Sequence, residues 1–248
     1  MKVYSPSFFI IFYGFSVMLN SILFAQNPRC LPYVQMGLGA QVPGMDLAKD
    51  YGSNMQVSAS FDQRWNGFWL SGMGFDYFYG ATVKNDVLLA LRNDQGQITN
   101  NEGYPSDIRV TERGFQWYAK GGIVKSINQN GWNWLLCGGM GYLEHQVYLY
   151  DTEKKVVALQ NESMKGYDRL CNGMLFRAET GVLYLSKNRY SNFYIGCDAA
   201  FALTRSRRRF AYGYGSLATG LRKDFLSGFK LCWILPLQSH VNQTYFTQ

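Results

Sequence analysis

The chain has 248 residues, of which 17% are aromatic, with 26 glycines, only 6 prolines and a formal net charge of +7. This composition excludes a disordered chain, which would be poor in aromatic residues, and the length suits one sizeable domain. Many short strands with glycine at their bends would need such a composition.

The first 25 residues differ from the rest of the chain. Lys2 is their only charge, "FFIIFYGFSVML" is an apolar run of 12 residues, and "SILFA" ends in a small residue. This order predicts a secretory signal at 1–25, cleaved after Ala25, and an exported domain at 26–248. A membrane-anchor helix is the alternative, but the run is shorter than the roughly 20 residues that a spanning helix needs.

Period-two alternation bounded by turn residues predicts eight strands in the exported domain. They lie at 31–40, 54–64, 68–80, 112–125, 132–150, 168–185, 191–204 and 228–238. No apolar stretch there approaches the length of a spanning helix, which leaves a periplasmic protein, a secreted protein or an outer-membrane barrel.

Short and long connections alternate strictly between these strands. The short ones are 65–67, 126–131 and 186–191, and the long ones are 41–53, 81–111, 151–167 and 205–227. This order is typical of an all-β, antiparallel, up-and-down transmembrane barrel with short periplasmic turns and long extracellular loops.

One face of each strand is apolar, and the other mixes glycine with polar side chains. Trp69 and Trp117 belong to the apolar face, and their indoles fit poorly inside an eight-stranded barrel. We therefore expect the apolar face to meet lipid. The alternative is a water-soluble barrel with that face inside.

The stretch "NWLLCGGMGYLEHQVYLY" at 133–150 has glycines beside Glu144 and His145, as a cofactor loop would. A dinucleotide fingerprint needs a helix to begin at the glycines, whereas the alternation here continues to Tyr150. Parity with neighbouring strands predicts Gly138 and Glu144 inside and His145 outside near the upper rim. Lipid A deacylases use a lipid-facing His together with a nearby Ser. Here Val147 lies two residues beyond His145, and no serine stands beside the histidine in the strand.

Eight ionisable residues are expected to form a charge network in the barrel interior. They are Asp62, Asp76, Lys120, Glu144, Arg177, Glu179, Asp198 and Lys230. Buried charges are costly unless they are paired, and an eight-stranded interior is barely wide enough to hold side chains. A structural plug is therefore favoured over the selectivity ring of a channel.

The last long connection begins "RSRRRF", which places four arginines close together. They are Arg205, Arg207, Arg208 and Arg209. Arginine binds phosphate bidentately, so outer-membrane lipid and lipopolysaccharide are the expected partners, with a solvated loop base as the alternative. Nucleic acid is not an expected partner of an exported barrel.

The five cysteines are an odd number, and none lie at metal-ligand spacing. We therefore expect no disulfide framework, no zinc site and no cofactor.

Three stretches resemble the small outer-membrane barrels of Bacteroidota: "LFAQ", "GYDRLCNG" at 166–173 and "DFLSGFKLCWILPL" at 224–237. The chain is similar in size and architecture to the barrel associated with type IX secretion, which would imply contact with periplasmic secretion-ring proteins. The end "QSHVNQTYFTQ" departs from the usual aromatic barrel terminus. The expected function is a non-enzymatic anchor or accessory scaffold in the outer membrane. The alternatives are a narrow pore for small solutes and a lipid-modifying enzyme.

Overall fold

The computed structural model describes residues 30–151, 156–159, 161–186, 191–208 and 220–237. The expected signal peptide at 1–25 and Arg209 of the arginine cluster lie outside these residues.

Eight antiparallel strands follow one another around a closed barrel, and the last strand pairs with the first. The strands are β1 (Cys30–Gly44), β2 (Asn54–Trp65), β3 (Trp69–Gly80), β4 (Ile108–Ser126), β5 (Trp132–Asp151), β6 (Cys171–Tyr184), β7 (Phe193–Ser206) and β8 (Leu221–Pro236). The predicted eight-stranded up-and-down barrel is confirmed.

The helices of the described residues are short and lie in the long connections. They are helix α1 (Met45–Asp50) and three 3₁₀ helices at Leu89–Leu91, Val157–Leu159 and Asn161–Gly166. Within the described part of the chain, no helix has the length and apolar character needed to cross a membrane.

The short connections lie at one end of the barrel, called the turn end here, and the long ones lie at the opposite loop end. The tightest turn joins β2 to β3 through Asn66 and Gly67, with φ of 49° and 73°. Asn-Gly suits such a hairpin because both central residues need positive φ. Strand β8 begins seven residues earlier than the predicted 228, because Leu221–Phe225 pair with β7.

The apolar face of the strands points outward, as the sequence predicts. Trp69 is 59% exposed and Phe75 is 47% exposed on β3, whereas Asp76, directly after Phe75, is fully buried. Outward apolar side chains recur on all eight strands, so the barrel exterior is the reverse of a soluble protein surface.

The predicted orientation of β5 is wrong. His145 is 1% exposed and lies inside the barrel, whereas Glu144 and Gly138 lie outside. The prediction assumed that the interior is polar along its whole height. The inward residues of β5 include Leu135 and Leu143, because large apolar side chains also point into the interior above and below its charged middle.

Candidate functional site

The interior of the barrel has three layers, of which the middle one is charged. Seven of the eight predicted network residues lie there: Asp62, Asp76, Lys120, Arg177, Glu179, Asp198 and Lys230. Glu144 does not, because it faces outward on β5.

Ion pairs connect strands across the middle layer. Lys120 Nζ lies 3.1 Å from Asp62 Oδ1, and Lys230 Nζ lies 2.7 Å from Glu179 Oε2. A charge buried this deeply is stable only when it is paired and hydrogen-bonded. These pairs therefore hold β2, β4, β6 and β8 together from within.

Arg177 is the centre of the network. Its guanidinium lies 3.0 Å from Asp76 Oδ2 and 3.0 Å from Asp198 Oδ2, and it stacks over the Tyr118 ring at 4.4 Å. Gln116 donates to Asp76 at 3.2 Å. The guanidinium thus fills the barrel axis, where a channel would need space for solute.

An apolar layer closes the interior on the loop-end side of the charges. It combines inward residues of the strands with residues of the long connections: Phe78, Leu143, Val147, Leu175 and Leu226 from the barrel, and Leu47, Tyr51, Val87, Leu88, Ile98, Leu159 and Tyr167 from the connections. The connection between β3 and β4 therefore folds over the barrel mouth, a point that the sequence left open.

Helix α1 is fastened to the rim of the barrel by polar contacts. Arg222 donates to Asp50 Oδ2 at 2.7 Å, and the Lys223 amide donates to Asp46 Oδ2 at 2.9 Å. The hydrogen bond from Lys49 holds the pKa of Asp46 below its usual range. The carboxylate that caps the β8 amide therefore stays ionised at neutral pH.

A second apolar layer closes the interior at the turn end. Its members are all buried: Leu31, Tyr33, Leu70, Val124, Leu135, Cys137, Leu183, Leu185, Tyr194, Cys232 and Ile234. The charged layer is thus enclosed between two apolar layers over the described residues.

His145 belongs to a buried polar contact that the sequence analysis missed. Its Nε2 lies 3.1 Å from Asp224 Oδ2, and Thr204 Oγ1 donates to the same carboxylate oxygen. The contact joins β5 to β7 and β8 across the interior. No signal in the sequence pointed to it, because Asp224 was assigned to a loop and His145 to the outer face.

The outer wall carries an apolar band with aromatic residues at its loop-end edge. On β5 the band runs from Trp132 to Tyr142, ten residue-to-residue steps that rise about 25 Å at the usual strand tilt. Tyr142 stacks with Trp117 at a ring-centroid distance of 6.2 Å, and Phe115 lies 6.3 Å from it. Tyr148 and Tyr150, on the outer face of the same strand, lie beyond this edge.

A polar row begins directly above this edge. Glu144, Asn172 and Arg205 are register partners on β5, β6 and β7. Asn172 Nδ2 donates to Glu144 Oε2 at 3.1 Å, and Arg207 Nε donates to Asn172 Oδ1. Lys223 on β8 lies one step lower, beside Leu203.

The predicted arginine cluster is divided by these contacts. Arg205 and Arg207 are exposed on or above the polar row. Arg208 instead pairs with Asp168, donating from Nε at 2.8 Å. Arg209 lies outside the described residues. Arg205 and Lys223 have no ion-pair partner within the described ranges, so their charges remain available.

The five cysteines are free, four of them buried, and Cys197 is exposed on the outer face of β7. Among the described residues, no group of three or more His, Cys, Asp or Glu side chains is placed to hold a metal ion.

No family model matches the chain, and no curated protein sequence matches it. Among solved structures, neisserial surface protein A is 12% identical, with a TM-score of 0.44, over 82% of this chain and 96% of that one. Ail of Yersinia pestis, in complex with the heparin analogue sucrose octasulfate, is 10% identical, with a TM-score of 0.44, over 84% and 99%. The N-terminal barrel domain of Pseudomonas aeruginosa OprF is 7% identical, with a TM-score of 0.37, over 82% and 97%.

Proposed function

We propose that this chain is a non-conducting, non-enzymatic barrel of the outer membrane, an anchor or scaffold that holds a folded loop surface above the outer leaflet. The main observation in support is the contrast between the two faces of the barrel wall. The outer face carries an apolar band about 25 Å high, and the interior is filled by three packed layers. A stable barrel without a lumen is suited to attachment and display.

The described residues do not supply the features that the two competing functions need, and His240 lies outside them. A pore needs an open path for solute, whereas this interior is packed with charged side chains between two apolar layers. The lipid-modifying hypothesis needs a histidine on the lipid face, whereas His145 is buried inside against Asp224.

Single-channel recording tests the closed interior. Purified protein inserted into a planar bilayer should give no conductance steps, with a general porin as the positive control for insertion. Steady ohmic conductance of the folded protein would refute a closed interior. Recovery of the protein from aqueous buffer without detergent would refute membrane insertion.

The expected lipopolysaccharide partner belongs to this proposal. Among the described residues, Arg205 and Lys223 have no ion-pair partner, and they stand at the edge of the apolar band, where phosphates of outer-leaflet lipid would lie. Arg205→Gln together with Lys223→Gln should weaken binding to vesicles containing lipid A by about tenfold, since hydrogen bonds to charged groups are strong. Lys125→Gln, an outward cation at the turn end, is the matched control and should change nothing.

Contact with the periplasmic ring of type IX secretion stays a prediction drawn from the Bacteroidota resemblance. In the proposed orientation it would involve the turn end, for example residues 66–68 and 127–131. Co-purification in mild detergent, followed by mass spectrometry, tests it.

A further inference from the structure

Strands β4 and β5 project beyond the rest of the barrel wall. Their pairing continues to Ile108 and Asp151, whereas β3 leaves β4 at Glu112 and β6 leaves β5 at His145. Residues 108–113 of β4 and 146–151 of β5, which include this projecting part, are called the ribbon here. Its far end lies nine residues beyond Tyr142, about 20 Å above the apolar band at the usual strand tilt.

The outer face of the ribbon alternates basic and aromatic side chains. In the register, Arg109 lies opposite Tyr150, Thr111 opposite Tyr148, and Arg113 opposite Gln146, with Tyr79 of β3 on the other side of Arg113. These outward positions include no acidic residue. The face is therefore positively charged and rich in flat rings.

The guanidinium of Arg113 is already held in a binding geometry. Its Cζ lies 3.5 Å from the centre of the Tyr148 ring. A stacked guanidinium retains its planar edge of N–H donors, which suits phosphate or carboxylate oxygens.

We propose that the outer face of the ribbon binds an anionic glycan, and that the glycan is the phosphorylated sugar chain of neighbouring lipopolysaccharide. Arg109 and Arg113 bind its phosphates, while the exposed rings of Tyr79 and Tyr150 pack against its sugar rings. Charge complementarity and position select this occupant, since the ribbon rises where sugars attached to the outer leaflet would lie. This inference rests on the proposed outer-membrane function, but it concerns different residues from Arg205 and Lys223, which are proposed above to contact lipid phosphates.

Calorimetry with a soluble probe tests the inference. The protein in micelles free of lipopolysaccharide is titrated with phosphorylated core oligosaccharide that carries no acyl chains. Binding should weaken by about tenfold in Arg113→Gln and in Tyr148→Leu, and it should weaken as salt rises. Arg205→Gln changes a residue proposed to contact lipid phosphate and lies outside the ribbon. This variant should bind the oligosaccharide as the parent protein does.

The controls separate failure of this inference from failure of the proposed function. Each variant must keep the parent's far-UV circular dichroism and its lack of conductance. Absence of binding by the parent protein, unchanged affinity in both ribbon variants, or equal affinity for the dephosphorylated oligosaccharide would overturn the inference and leave the closed barrel standing. Conductance of the parent protein would refute the proposed function alone.

Discussion

Removing Arg177 is the sharpest perturbation of the interior. Arg177→Met keeps a long apolar stem but deletes the guanidinium that lies 3.0 Å from both Asp76 and Asp198. The four carboxylates of the middle layer would then face only the ammonium groups of Lys120 and Lys230. Deleting one partner of a buried pair leaves an uncompensated charge, which costs about 3–5 kcal/mol.

The double variant Arg177→Met, Asp198→Asn separates charge imbalance from lost packing. It removes one of the carboxylates that Arg177 neutralises, so it should recover about half of the lost stability, with a coupling energy of roughly 2 kcal/mol. Asp198→Asn alone should be destabilising, because it leaves the arginine partly unpaired.

Urea unfolding in micelles, followed by fluorescence of the 6 tryptophans, measures these differences. Lys49→Met is the control, since the Lys49 side chain is 74% exposed and its pair with Asp46 lies at the surface. It should change the free energy of unfolding by less than about 0.5 kcal/mol. A loss below about 1 kcal/mol in Arg177→Met would refute the role given to the charged layer.

Further variants test the two faces of the wall and the buried histidine contact. A Cβ at Gly74 would meet Tyr118 Cζ at 2.4 Å, so Gly74→Ala should cost about 1–3 kcal/mol in the same unfolding assay. Gly138→Ala meets no atom within 4 Å and should be neutral or stabilise by about 0.5 kcal/mol; equal effects at both glycines would contradict the assigned faces. Thr204→Val keeps the side-chain shape but removes a hydrogen bond to Asp224, so it should cost about 2 kcal/mol, and an unchanged urea midpoint would show that this bond is not needed.

The strand order could be predicted because two sequence signals are independent of each other. Alternation gives each strand, and the sorting of connections by length gives the up-and-down order. Seven residues of the charged layer could be predicted because an unpaired charge is costly on a lipid-facing wall. A charged residue that alternates with outward apolar residues is therefore expected to face the interior. Lys120 and Asp198, for example, alternate with apolar neighbours on β4 and β7.

The orientation of β5 could not be predicted by the same rule. The rule equates polar with inside, but many inward side chains above and below the charged layer are apolar, and β5 leaves the apolar band after Tyr142. Glu144 therefore faces outward above the band, and His145 faces the interior. The start of β8 was missed for a related reason. Asp224 is typical of a loop unless its buried partner on a distant strand is known.

Cys197 gives this molecule a natural reporter. It is the one exposed thiol among five, and it stands on the outer face of β7 between Ile195 and Ala199. A fluorophore attached through maleimide chemistry would therefore label a single known height on the wall without any engineered residue. Quenching of that fluorophore by lipids brominated at different depths would measure how far the protein sits in a bilayer.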